Sequence, residues 1–178
     1  METFINSKEM VKDNRFSVKR AEALRHLSMS DIDPKIRDII EVFAKMRHCF
    51  TIQSCQGHII EQSTGKDRVK RIDPESELPA SGLYQIAYLA LVLENSKHGR
   101  NLYQVLADIS KLNNDFIQLG SAKWFWTTKG FINSYVIQVE PFRFRHLDRF
   151  NMDCEDAGKW LEARELFFKE LRKRLRHE

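Results

Sequence analysis

The sequence predicts a single α+β domain, a two-layer sandwich with a mostly antiparallel sheet and a long C-terminal helix. Three observations indicate this. A chain of 178 residues is long enough to bury one sizeable core. Its hydrophobic fraction of 42% and charged fraction of 30% are typical of a globular protein. Strand patterns follow one another with single helices between them, which favours an α+β protein over a doubly wound sheet. We therefore treat residues 1–178 as one domain.

Two helices and a strand are predicted in the first third of the chain. Ser17–Leu27 has a helical pattern, and Asp33 can cap a second helix that starts at Pro34. The apolar residues of this second helix recur at steps of three and four: Ile36, Ile39, Ile40, Phe43 and Met46. We expect it to end near Arg47–His48 and to lead directly into a strand at Phe50–Ser54.

The middle of the chain contains its most polar and its most apolar stretch. Residues 61–82 are rich in charge and contain two prolines, which predicts a mobile loop, a lid or in part a hairpin. Leu83–Leu93 follows. Its Tyr, Ile and Val content predicts a buried central strand, although its Ala and Leu content leaves a helix open.

Further elements are predicted in the second half. Glu94–Gly99 breaks the chain, and Asn101–Asn113 has one apolar helical face. Short strands are predicted at Asp115–Leu119, Trp124–Thr128 and Tyr135–Glu140. The final helix is predicted from Asp153 or Glu155 to Arg176. Its apolar side comprises Trp160, Leu161, Arg164, Phe167, Phe168 and Leu171.

Composition and charge limit the function classes. No apolar run approaches the roughly eighteen residues of a membrane span, and the N-terminus lacks the pattern of a signal peptide. The three cysteines, Cys49, Cys55 and Cys154, are odd in number and irregularly spaced, which predicts free thiols in the cytoplasm. The net charge of +4, with basic clusters such as Lys169–His177, suits RNA or a phosphate-bearing small molecule. The same cluster also fits a solvated helix end.

The segment Phe50–Ile59 carries the strongest functional signal. Gly57 permits a positive φ, so we expect a tight turn between Cys55 and His58 whose amides can bind an anion. Cys55 is the candidate nucleophile, His58 its base, and Ser54 a third catalytic candidate.

Three other residues of this segment are candidate substrate-binding positions, namely Thr51, Gln53 and Gly57. No third member of a catalytic triad and no metal-ligand spacing is recognisable, so no metal is predicted. A packed turn with a buried thiol and a carbonyl-capping imidazole is the structural alternative.

The same residues resemble a known family. An amphipathic helix followed by Phe50-Thr51 and by Ser54-Cys55-x-Gly57 looks like the signature of the wybutosine-synthesis methyltransferases, which modify tRNA. There a helix leads into a Phe-Thr strand and a Ser-Cys-Ser-Gly-Arg turn, where this chain has Gln56 and His58 at the second Ser and the Arg. The resemblance implies a transferase with S-adenosylmethionine as cofactor and a pocket at this segment.

Two aromatic and basic groups are further candidates. Trp124–Trp126, read as a strand, either buries one face in the core or stacks the bases of a single-stranded nucleic acid. Arg143 and Arg145 alternate with two phenylalanines after Pro141, so a strand there would place both guanidinium groups on one face. Such a pair can bind a phosphate, or it can keep a sheet edge soluble.

The leading interpretation is a small cytoplasmic enzyme that acts on a nucleotide or RNA substrate at Ser54–His58. The reaction is either methyl transfer, as the resemblance implies, or chemistry at the thiol and imidazole. The alternative is a non-enzymatic binding or assembly protein whose C-terminal helix, with its Trp160–Phe168 stripe, forms a homodimer or partner interface. The two hypotheses differ in whether the Cys55 segment adjoins a pocket with convergent polar groups.

Overall fold

One antiparallel sheet organises the protein. The computed structural model describes residues 4–62, 69–72 and 81–176. The strands within these ranges are β1 (Phe4–Ile5), β2 (Cys49–Gln62), β3 (Val69–Ile72), β4 (Ser81–Leu93), β5 (Ile117–Ala122), β6 (Ser134–Val139) and β7 (Arg149–Asp153). They follow the spatial order β1-β5-β6-β4-β2-β3, and β7 pairs with β4. The predicted α+β class with a mostly antiparallel sheet is confirmed.

Five helices accompany the sheet in the described ranges. They are α1 (Phe16–His26), α2 (Arg37–Lys45), α3 (Lys97–Ser110), α4 (Lys123–Thr128) and α5 (Cys154–Leu175). Single 3-10 turns lie at Met29–Asp31, Pro34–Ile36, Lys111–Asn113 and Phe142–Phe144. The side chain of Asp153 caps α5 by accepting a hydrogen bond from the amide of Asp156. None of the helices in the described part of the chain is long and apolar enough to cross a membrane.

Strand β4 is the centre of the sheet, as its apolar sequence predicts. It pairs with β2 along almost its whole length, from Cys49↔Leu93 to Ile60↔Leu83. Its other edge pairs with β6 over residues 87–92 and with β7 over residues 81–85. Strand β4 is thus paired on both edges and covered by helices on one face. Its β-branched and aromatic residues suit such a position.

The main core lies between the sheet and three helices. Helix α2 contributes the buried Ile39, Ile40 and Phe43, and α3 contributes Leu102, Leu106 and Ile109. The predicted apolar side of α5 is also here, with Trp160, Phe167, Phe168 and Leu171 at most 1% exposed. Burying one such side chain stabilises the fold by about 1.5–3 kcal/mol. The apolar stripe of α5 is therefore buried in the core of its own chain and is not exposed to a partner.

The opposite face of the sheet is covered only in part. Helix α1 packs there through Phe16, whose ring lies 5.6 Å from the ring of Phe50. Phe4 of β1 and Phe125 of α4 pack on the same face near Ala90. Ile52 packs against both of these small clusters.

Several predicted elements differ from the structure. Trp124–Thr128 is the helix α4 and not a strand, and Phe142–Phe144 is a 3-10 turn closed by the Phe144 amide on the carbonyl of Pro141. Aromatic and basic residues alternate as in a strand in Phe142–Arg145, whereas Trp124, Phe125 and Trp126 are consecutive. In both segments the short helical conformation is accompanied by close ring contacts. The second helix ends at Lys45, before the predicted Arg47–His48.

The stretch predicted as a loop at 61–82 is in part a hairpin. Glu61 and Gln62 extend β2 and pair with β3, while Ser81 and Gly82 already belong to β4. Residues 63–68 and 73–80 lie outside the described residues. The weak patterns of β1 and β7 were not predicted as strands.

Candidate functional site

Gly57 has the predicted positive φ but does not form a turn. Its φ is +83°, yet β2 stays in one register with β4 from Gln53 to Ile60. The predicted tight turn, and the anion-binding amides expected of it, are therefore wrong. A Cβ atom at this position would lie 2.8 Å from Cζ2 of Trp160 and 3.0 Å from Cβ of Ala87. Glycine is required here both by the backbone conformation and by the close approach of the α5 indole.

The conformation of Gly57 places Cys55 and His58 on one face of the sheet. In a regular strand, residues three apart point to opposite faces. Directly opposite residues of an antiparallel pair share a face, and the partners here are Tyr88 for Cys55 and Gln85 for His58. Both partners line the same cavity. The positive φ between Cys55 and His58 thus shifts the alternation and brings the thiol and the imidazole together.

Asp33 completes this group, which we call the Asp33 cluster: Asp33, Cys55 and His58. Oδ2 of Asp33 lies 3.3 Å from Nε2 of His58, and one donor atom of each residue lies within 4.8 Å of the other two. Asp33 was predicted as a helix cap, but its side chain makes no cap hydrogen bond. Instead Oδ2 accepts a hydrogen bond of 2.9 Å from the amide of Gln56 on β2.

Burial and charge distinguish the three members of the cluster. Cys55 and His58 are 4% and 6% exposed, whereas the Asp33 side chain is 25% exposed. The hydrogen bond to Asp33, followed by the contact with Cys55, raises the pKa of His58 to about 9 against the opposing effect of burial. Burial works to raise the pKa of Asp33, but the His58 hydrogen bond and the Gln56 amide together hold that pKa below its ordinary value. His58 and Asp33 therefore form an ion pair at neutral pH.

Contacts from two sides hold the strand segment of the cluster in place. The amide of Lys35 donates to Oε1 of Gln56 at 3.1 Å, which attaches the 3-10 turn before α2 to the edge of β2. From the helix layer, Nη1 of the buried Arg164 donates to the carbonyl of Gly57 at 3.4 Å. The Gly57 amide is directed to Sγ of Cys55 at 3.4 Å. The thiol and the imidazole are thus carried by a fixed stretch of backbone.

A cavity of about 510 Å³ lies on the same face of the sheet. Its polar lining consists of Gln53, Gln85, Gln138, Asp148 and Arg149. Tyr88 and Phe125 contribute rings, and small apolar residues of β4, β5 and β6 contribute much of the rest. Two lining residues, Gln85 and Tyr88, are the direct cross-strand partners of His58 and Cys55, whereas Asp33, Cys55 and His58 do not themselves line the cavity.

A buried carboxyl group supports one wall of the cavity. Nε2 of Gln138 donates to Oε1 of Glu140 at 2.7 Å and to the carbonyl of Arg145 at 3.0 Å. Glu140 is fully buried, and its Oε2 has no hydrogen-bond partner among the described residues. Burial raises the pKa of Glu140 to about 8, although the Gln138 hydrogen bond opposes this and Asp148 adds to it. A neutral Glu140 therefore fixes the amide of Gln138 at the cavity wall.

The structure separates the predicted site residues into two sets. Gln53 lines the cavity, and Cys55, Gly57 and His58 form or support the cluster. Thr51 and Ser54 lie opposite Leu91 and Leu89, which belong to the helix-covered core, so both hydroxyl groups point away from the cavity face.

The two predicted anion-binding arginines do not converge. Arg143 pairs with Asp156, and the guanidinium of Arg145 stacks on the ring of Phe142 at 4.3 Å. Neither lines the cavity. Arg149, which was not predicted, does line the cavity. The alternation of polar and apolar residues in Arg149–Asp153 is the sequence signal from which its strand could have been found. No comparable signal distinguished Asp33 from an ordinary helix cap, because an Asp before Pro fits that role well.

Comparisons with known proteins support the fold. No family model and no curated protein match the chain. Two solved structures of the PH1069 protein from Pyrococcus horikoshii are similar to it, each at 14% sequence identity. The first has a TM-score of 0.53 and covers 92% of this chain and 93% of its own. The second, from strain OT3, has a TM-score of 0.48 and covers 92% of both chains. At this identity the first likeness describes a shared architecture and nothing of function.

Proposed function

We propose that the protein is an enzyme that acts on a nucleotide or RNA substrate, bound in the cavity with the Asp33 cluster at its margin. The observation that carries the proposal is the shared sheet face. Cys55 and His58 lie directly opposite Tyr88 and Gln85, which line the cavity. A thiol, an imidazole and a carboxylate thus converge at β2, the strand paired with β4, whose residues line a polar pocket; this arrangement supports a reaction site.

The cavity lining favours a heterocyclic base with an attached phosphate. The amides of Gln53, Gln85 and Gln138 offer both donors and acceptors, which can match the polar edge of a base. The rings of Tyr88 and Phe125 give it stacking surfaces. The guanidinium of Arg149 suits a phosphate oxygen, and the net charge of +4 attracts a polyanion.

The proposed reaction is group transfer to the bound base. The resemblance of Phe50–Gly57 to the wybutosine-synthesis methyltransferases favours methyl transfer with S-adenosylmethionine as donor. The convergence of Asp33 and His58 on Cys55 supports a direct part for the thiol, as nucleophile or as a group that positions the substrate. A cytoplasmic location belongs to the same proposal, since Cys49, Cys55 and Cys154 are all free thiols.

A binding experiment with a matched arginine pair tests the cavity. We expect Arg149→Gln to weaken binding of a fluorescein-labelled short RNA by about tenfold, because it removes the cavity guanidinium. Arg143→Gln removes an exposed cation outside the cavity, and its affinity should stay within about twofold of wild type. Fluorescence anisotropy at fixed ionic strength measures both. Equal losses in the two variants would indicate binding by net charge alone and would contradict a cavity site.

The cofactor requires a separate measurement. Isothermal titration calorimetry with S-adenosylmethionine and wild-type protein should show one saturable site. Absence of binding heat in the titration, and of any rise in melting temperature at millimolar S-adenosylmethionine, would remove methyl transfer from the proposal. The cavity would still stand as a proposed nucleotide site.

The alternative function, assembly through the C-terminal helix, has lost its proposed surface. Trp160, Phe167 and Phe168 are packed against the sheet of their own chain and are at most 1% exposed. A dimer through this stripe would require α5 to detach from the core, which costs far more than a typical interface returns.

A further inference from the structure

We propose that Asp33, Cys55 and His58 bind one zinc-like divalent metal ion, with a fourth coordination position left for water or substrate. The inference rests on the proposed function for the role of the ion, because a metal there would act as a Lewis acid near the cavity, with Cys55 as its ligand and not as a nucleophile. Binding of the ion itself is independent of any substrate. The observation behind it is the convergence of three different ligand atoms on one point.

The distances fit tetrahedral coordination. Zinc bonds of about 2.0–2.2 Å to nitrogen and oxygen place those two atoms about 3.4 Å apart, and a bond of about 2.3 Å to sulfur places it slightly farther away. Nε2 of His58 and Oδ2 of Asp33 are 3.3 Å apart. The three ligand atoms lie within 4.8 Å of one another, and an ion bound between them would replace the proton that His58 shares with Asp33.

The types of ligand select the class of metal. A thiolate and an imidazole are soft or borderline donors that favour zinc and its neighbours over magnesium or calcium. A single carboxylate from Asp33 completes a set of three. Sites with three protein ligands and one open position are typical of catalytic zinc, whereas structural zinc sites use four protein ligands.

The surroundings already provide what ligands of a metal need. The amide of Gln56 donates to Oδ2 of Asp33, and the amide of Gly57 is directed to Sγ of Cys55. Such outer hydrogen bonds fix ligand orientation and offset the negative charge of a carboxylate or thiolate. Asp33, at 25% side-chain exposure, gives the ion a way in from solvent, while Cys55 and His58 lie behind it.

No other cluster competes among the residues whose side chains the structure describes. The group of Asp33, Cys55 and His58 is the one set of three His, Cys, Asp or Glu side chains there that meets the distance condition for a shared ion. Cys49 lies in the core with its Sγ directed to the carbonyl of Phe43, and Cys154 is exposed at the start of α5. A signal from a metal-bound thiolate can therefore be assigned by cysteine substitution.

Cobalt is the probe for this site. Titration of reduced, chelator-treated protein with Co²⁺ should produce a thiolate-to-cobalt charge-transfer band in the near ultraviolet that saturates at one equivalent. Zn²⁺ should abolish the band at comparable concentration, and a large excess of Mg²⁺ should leave it. We expect Cys55→Ser to remove the band, Asp33→Asn to weaken Co²⁺ binding by more than about tenfold, and Cys154→Ser to leave affinity unchanged.

The outcomes separate this inference from the proposed function. No band with wild-type protein, a band retained in Cys55→Ser, or a band lost in Cys154→Ser would each overturn the metal site. Far-ultraviolet circular dichroism verifies that every variant is folded, and the wild-type titration needs no variant at all. Arg149→Gln should bind Co²⁺ as wild type does. Equal RNA affinity losses in Arg149→Gln and Arg143→Gln, or no RNA binding by wild type, together with an intact cobalt band, would reject the cavity proposal and leave the metal site standing.

Discussion

Replacing Glu140 by Gln tests whether the wall of the cavity contains a neutral carboxyl group. Glu140 is fully buried, accepts one hydrogen bond from Gln138 and has no hydrogen-bond partner among the described residues at its other oxygen. Glutamine has nearly the shape of a protonated glutamate, and its carbonyl oxygen can still accept from Gln138. The substitution therefore removes the ionisable group while it preserves packing.

The sign of the effect follows from the two pKa values. Burial raises the pKa of Glu140 from 4.5 to about 8 in the folded protein. Between these values the unfolded chain has lost the proton and the folded chain keeps it, so the free energy of unfolding falls as pH rises through this window. At about 1.4 kcal/mol per pH unit, the difference corresponds to at most about 5 kcal/mol. Relaxation around the charge lowers this, and we expect about 2–4 kcal/mol.

Urea unfolding at several pH values from about 4.5 to 8.5 measures this effect. Below pH 5, Glu140→Gln and wild type should agree within about 1 kcal/mol. At pH 8 the variant should be the more stable by about 2–4 kcal/mol. Glu155→Gln is the control, because Glu155 is an exposed partner of Lys159 and should change stability by less than about 1 kcal/mol at every pH. Parallel pH profiles for wild type and Glu140→Gln would refute the neutral buried carboxyl group.

Two backbone positions give further predictions. Gly57→Ala should destabilise the protein by about 2–4 kcal/mol in urea unfolding, because Ala disfavours positive φ and its Cβ would overlap Trp160. Gly158→Ala is the control. Gly158 lies in the second turn of α5, where a Cβ meets nothing within 4 Å, and the substitution should stabilise by about 0.5–1 kcal/mol. Equal effects of the two substitutions would contradict the requirement for glycine at position 57 of β2. Asp153→Ala should lower the free energy of unfolding by about 1 kcal/mol, because α5 loses its cap. Asp153→Asn can still accept from the Asp156 amide and should lower it by only a few tenths of a kcal/mol. Similar losses in both variants would assign the effect to the charge of Asp153.

Periodic elements with one buried face could be predicted from the sequence. Leu83–Leu93 is a central strand, and the spacing of Trp160, Phe167 and Phe168 places them in the core, because burial of one face imposes its period on the sequence. The prediction of a strand at Trp124–Thr128 was wrong because this segment has no such period. Its three consecutive aromatic residues were interpreted as a strand, but they form a short helix in which the rings of Trp124 and Phe125 contact each other and Lys129 lies over Trp124. Contacts of this kind impose no period on the sequence.

The candidate site could be located from the sequence but not assembled. The segment from Cys55 to His58 was identified because Gly separates two reactive side chains. The third member, Asp33, lies 22 residues before Cys55 and looks like a helix cap, and only the pairing of its carboxylate with the Gln56 amide places it beside β2. Composition alone does not distinguish Arg149 from Arg143 and Arg145 as the arginine that reaches the cavity. The register of β7 against β4, with Arg149 opposite Gln85, decides which guanidinium reaches the cavity.

Gly57 connects the core to the proposed site. Its positive φ brings Cys55 and His58 to one face, and its missing side chain admits the Trp160 indole of α5 from the other. The indole in turn donates from Nε1 to the carbonyl of Val139 on β6 at 2.8 Å, next to Glu140. One buried aromatic residue thus contacts both the strand of the cluster and the strand that carries Gln138. A larger residue at 57 would move the indole and also restore the alternation that separates Cys55 from His58, so stability and site geometry should be lost together.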